Sequence, residues 1–185
     1  QSRELTVERE VPLDAIYKVF HMPDRLSPDY YAFDLLSDIL SRGDAARFNR
    51  RLIKGKKLFT DVQAYIGGDF DPGLFSMSGF LNPNTSMEQA NKALWEEIEQ
   101  IKKEGVTEDE LQMAKNKVIT THSFAQTSVL NKAMGLGIAA VIHNANLVNE
   151  EVDFYKAVTT EDIQRIAKDF LKESNSTTLY YKAKK

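Results

Sequence analysis

The segment from Leu58 to Leu81 constrains the fold most. Leu58, Thr60, Val62, Ala64 and Ile66 recur at every second position, and a run of apolar and small residues from Leu74 to Leu81 follows. Between them lies Gly67-Gly68-Asp69-Phe70-Asp71-Pro72-Gly73, which is dense in turn formers. A two-residue period on both sides of such a break predicts an antiparallel hairpin with a long connection. A hairpin with one apolar face cannot stand alone in water, so the rest of the chain must cover it.

That cover is helical. Ser27-Pro28-Asp29 has the signature of a helix start, with Ala32, Leu35, Leu36, Ile39 and Leu40 behind it at helical spacing and Gly43 as the stop. After the hairpin, Thr85 with Glu88 and Thr107 with Glu110 are spaced as capping boxes. An apolar segment from Ala133 to Ile142, a short helix from Glu150 to Val158 and a helix capped by Thr159 come next. Two further strands are predicted. One runs from Leu13 to Phe20, with Leu13, Ala15, Tyr17 and Val19 as its apolar face. The other is the β-branched and aromatic run Ser176 to Ala183. Residues 1–10 are polar and suit an edge strand or a frayed end. The predicted class is α+β: a two-layer, antiparallel-rich sheet with helices on one face. All 185 residues form one domain in this reading, a length that buries roughly 70% of the unfolded surface.

Searching the chain for chemistry excludes more than it finds. There is no cysteine, and His21, His122 and His143 are too dispersed for the paired-histidine zinc face of a helix. Neither Ser76-Met77-Ser78-Gly79 nor Thr121-His122-Ser123 forms a nucleophile elbow. Gly135-Leu136-Gly137 is a fragment of a phosphate-binding pattern without its third glycine, and suits close helix packing. Asp69 and Asp71 flank a turn, while Glu108-Asp109-Glu110 suits a helix N-terminus. Six cations fall between Arg47 and Lys57, which a solvated helix face explains. With a net charge of -3 and only Phe48 interleaved, nucleic acid is not the expected partner. No apolar run reaches the roughly 20 residues of a membrane helix, so no membrane partner is expected.

Several stretches in order nevertheless resemble one family. They are Ser27-Pro28-Asp29-Tyr30-Tyr31-Ala32, Ala46-Arg47-Phe48-Asn49-Arg50-Arg51-Leu52, Asp71-Pro72-Gly73-Leu74-Phe75, Gly105-Val106-Thr107-Glu108-Asp109-Glu110-Leu111 and Thr159-Thr160-Glu161-Asp162-Ile163. Together they resemble the C-terminal domain of zinc metallopeptidases of the insulinase and mitochondrial-processing-peptidase (M16) family.

The resemblance implies a non-catalytic C-terminal half that closes a chamber over a peptide substrate. Its zinc and general base would lie in an N-terminal half or in a homologous partner subunit. Many such halves carry an Arg followed seven residues later by a Tyr that hold and polarise the substrate. The matching positions here are Ile53 and Thr60, which cannot supply those donors. The resemblance therefore implies either a domain of a zinc-bearing subunit that works with a partner or part of an inactive scaffold subunit. An unrelated α+β binding module is the remaining alternative. Gln1 is read as a processing boundary, and the compartment, cytoplasmic or periplasmic, is left open.

Overall fold

The computed structural model describes residues 2–67 and 70–184. Gly68 and Asp69, in the hairpin connection, lie outside them, so the pairing of Asp69 with Asp71 is not described.

Five strands form one mixed sheet: β1 (Arg3–Arg9), β2 (Ala15–Met22), β3 (Phe59–Gly67), β4 (Gly73–Leu81) and β5 (Ser176–Ala183), in spatial order β1-β5-β2-β4-β3. Every neighbouring pair is antiparallel except β1 with β5. The hairpin is β3–β4, and the N-terminal ten residues supply an edge strand. Six helices follow the chain: α1 (Pro28–Ser41), α2 (Met87–Glu104), α3 (Glu108–Ala125), α4 (Val129–Ile142), α5 (Leu147–Ala157) and α6 (Thr160–Phe170). A π-helical turn, Asn49–Gly55, joins α1 to β3. No helix among the described residues is long and apolar enough to cross a membrane.

The helices begin where backbone N–H groups find side-chain acceptors. Ser27 Oγ accepts from the Asp29 amide, with Pro28 in the first turn. Thr107 and Glu110 close a reciprocal box at the start of α3, as Thr159 and Asp162 do at α6. At α2 the box forms one residue later than the sequence spacing suggested. Ser86 and Gln89 make it, since Gln89 Oε1 accepts from the Ser86 amide as readily as a Glu at that position would. Helix α4 begins four residues before the apolar run expected at 133, capped by Ser128.

The core lies between one sheet face and α1, α2 and α6. Phe33 packs on Phe75 and Phe170, and Phe20 meets Trp95 edge-on. Two expectations about strand faces need correction. In β2 the core-facing side is Ile16, Lys18, Phe20 and Met22, whereas Tyr17 and Val19 lie on the other, open face. From Ala15 to Phe20 both sides of this strand are apolar apart from Lys18, and the buried lysine disguised the true face. In β3 a bulge at Thr60 breaks the expected run. Phe59 pairs with Leu81 and Asp61 with Phe80, so Thr60 is the extra residue and its side chain is exposed. Phe59 takes the inward position and is fully buried. Gly79 makes room for it: a Cβ there would lie 2.7 Å from the Phe59 ring.

Candidate functional site

No group of three or more His, Asp or Glu side chains among the described residues is arranged to hold a metal. His21 is exposed on β2 and His143 is exposed just after α4. His122 is half-buried on α3, its Nε2 3.4 Å from the Gln126 side-chain Nε2. The Ser123 hydroxyl donates to the Ile119 carbonyl, so it is engaged in its own helix.

The two positions matched to the substrate-holding pair are structurally distinct. Ile53 sits on the π-helical turn and packs, half-buried, against the core. Thr60, pushed out by the bulge, donates from its hydroxyl to the Phe80 carbonyl at 3.2 Å. It lines a cleft of about 690 Å³ on the open sheet face, with Tyr17, Phe80, Leu179 and Tyr181. Neither residue presents a free donor.

Most of the basic segment is engaged within the chain. Arg47 is buried and bonded to Glu110, Arg51 pairs with Glu97, Lys54 with Asp44 and Lys56 with Glu96. The expectation of a solvated helix face therefore holds only in part: residues 49–55 form the π-helical turn, and Arg47 is buried rather than solvated.

Sequence reasoning missed two features. The first is Lys18, only 1% exposed. It donates to Thr178 Oγ1 at 2.6 Å and lies 4.7 Å from the centre of the Trp95 ring. Burial pushes its pKa down to about 8, against the raising fields of Glu4 and Glu173. A lysine alternating with Ile16 and Phe20 was the available signal. The second is the extent of exposed apolar surface. Helix α4 buries Ala139 alone, leaving Val129 83% and Val141 73% exposed. On the open sheet face Leu5, Tyr17, Tyr65, Leu74 and Phe80 are also exposed. Contiguous surfaces of this kind mark interaction sites.

Comparison with known proteins defines the class. Residues 1–118 match the family described as the peptidase M16 inactive domain. The chain belongs to that family. Among solved structures it resembles a protease from Helicobacter pylori, with a TM-score of 0.89 at 22% identity, over 97% of this chain and 44% of that one. It also resembles the inactive peptidase domain of a proposed zinc protease from Bordetella parapertussis, with a TM-score of 0.83 at 24% identity, over 93% of this chain and 91% of that one. A third likeness is the peptidase M16 inactive domain from Pseudomonas fluorescens, with a TM-score of 0.83 at 20% identity, over 100% of this chain and 44% of that one. The chain thus spans less than half the length of two of these three relatives. No curated protein matches the sequence.

Proposed function

We propose that this domain is the non-catalytic, chamber-closing unit of a zinc metallopeptidase of the M16 family. It acts with a zinc-bearing unit, supplied by the same protein or by a homologous subunit. The observation that carries the reading is the match to the inactive-domain family, in a chain whose described residues offer no metal cluster. Two further points support it. The resemblance matches Ile53 and Thr60 to a substrate-holding Arg and Tyr, and those donors would then come from a partner. Losing one oxyanion donor typically costs roughly 3–4 kcal/mol of barrier lowering, so a working enzyme needs a source for it. The exposed apolar α4 and open sheet face suit docking against another unit.

The test is reconstitution. The zinc-bearing unit that accompanies this chain is purified alone and together with it. The mixture should form a stable complex with chelator-sensitive peptidase activity, while this chain alone holds no stoichiometric zinc by metal analysis. A complex without activity would favour a scaffold subunit. Full activity from the zinc-bearing unit by itself would overturn the proposal.

A further inference from the structure

Away from the open sheet face, a cavity of about 410 Å³ opens between the first turn of α1, helix α5 and the start of α6. Its floor is apolar. Tyr31, Leu147 and Val158 are buried there, and Phe154 stands at the side, 41% exposed. Ionic and polar ties, not side chains filling the space, hold the walls apart. Arg165 clamps α6 to α1, with Nη2 2.6 Å from Asp29 Oδ1 and 3.3 Å from Asp162 Oδ1. Tyr155 donates to Asp34 at 2.5 Å, and Arg25 pairs with Glu151 at 2.5 Å, which together fix α5 against α1 and the segment before it. A cavity whose walls are tied by such contacts is formed before any ligand arrives.

The charged groups lining the cavity do not balance. Asp29, Glu150 and Asp162 supply three carboxylates and Arg165 one guanidinium, an excess of two negative charges among these four groups. Arg165 is already committed to two of those carboxylates and has little to offer an incoming anion. Glu150 is exposed and accepts from the Asn146 side chain. An apolar floor beneath a carboxylate-rich mouth, with aromatic rings at hand, suits a molecule that is apolar at one end and cationic at the other.

We infer that this cavity is a binding site for a small apolar ammonium compound. The hydrocarbon end packs on Tyr31, Leu147 and Phe154, and the ammonium faces Glu150. The site lies apart from Thr60 and from the open sheet face and borders α4 at His143; binding to the isolated chain is read independently of the proposed function.

Three probes of similar size on one ring system test the inference: 1-naphthylmethylammonium, 1-naphthylmethanol and 1-naphthoate, each titrated into the intact chain and followed by amide NMR. The cation should bind about tenfold more tightly than the anion, with the alcohol between them, since charges a few ångströms apart at a surface differ by that order. Shifts should centre on Tyr31, Leu147 and Phe154. Glu150→Gln, at an exposed position where the side-chain amide oxygen can still accept from Asn146, should weaken the cation about threefold and leave the alcohol unchanged. Ala157→Trp should block all three probes by filling the cavity. Anion binding as tight as the cation's, shifts centred elsewhere, equal effects of Glu150→Gln on cation and alcohol, or no saturation at millimolar probe would each overturn the inference.

Discussion

Arg47 and Glu110 lie 63 residues apart in sequence and are joined by two hydrogen bonds, Nε to Oε1 at 2.8 Å and Nη2 to Oε2 at 2.7 Å. Arg47 Nη2 also donates to the Gly105 carbonyl at 3.1 Å, at the end of α2. Glu110 meanwhile accepts from the Thr107 amide and caps α3. One ion pair therefore ties the segment after α1 to the joint between α2 and α3. The two residues come from two of the sequence stretches that carry the family resemblance.

This pair predicts an acid-sensitive fold. Burial alone would raise the Glu110 pKa, but the Arg47 and Thr107 hydrogen bonds outweigh it and hold the carboxyl at about 2, below its ordinary value of 4.5. A depressed carboxyl pKa stabilises the fold above the unfolded value and loses that contribution as pH falls toward the folded one. The contribution should be at most about 3 kcal/mol at neutral pH and fade between pH 4.5 and 2. Arg47→Met, which strands a half-buried carboxylate, should cost about 3–5 kcal/mol at pH 7. Urea titrations of both proteins across acid pH would show it, the variant's stability depending less on pH in that window.

Lys18 predicts a slope of the same sign in alkali. Its folded pKa, about 8, lies below the ordinary 10.5, so between those values the unfolded chain holds a proton that the folded chain has released. Stability should therefore rise with pH across that window, by roughly 3 kcal/mol in total. Lys18→Met should be more stable than the native protein at pH 7 and lack the alkaline rise, as judged by denaturation midpoints at pH 7.5 and 10.5. A native protein whose stability stays flat over that range would disprove a strained buried ammonium.

Gly79 predicts a coupling between strands. Any side chain there meets Phe59 ring carbons at 2.7 and 2.9 Å and the Asp61 carbonyl at 3.0 Å. Gly79→Ala should destabilise by about 1–3 kcal/mol through overpacking. Adding Phe59→Leu should recover part of that loss, because the smaller residue vacates the clash. A double-mutant cycle measured by thermal unfolding checks the coupling; strict additivity would show that the bulge does not press Phe59 onto Gly79.

By itself the sequence determined the class of fold and most of its punctuation. The caps at Ser27, Thr107 and Thr159, the β3–β4 hairpin and the closing strand are local events. A side chain that satisfies its neighbour's amide, or a two-residue period, leaves its mark within a few residues. The absence of a histidine or cysteine metal motif was legible in the same way, and so was the ordered set of stretches that resembles the M16 inactive domain.

Only the tertiary structure decided the rest. A period of two tells which residues share a strand face but not which face the helices cover, so Ile16, Lys18 and Phe20 could not be told from Tyr17 and Val19. The bulge that exposes Thr60 depends on Phe59 finding space above Gly79, twenty residues away in sequence. The walls of the α1–α5–α6 cavity are set by contacts such as Arg165 with Asp29, spanning 136 residues. Pairings at that range cost chain entropy that no local pattern records, and they form only when the whole core closes.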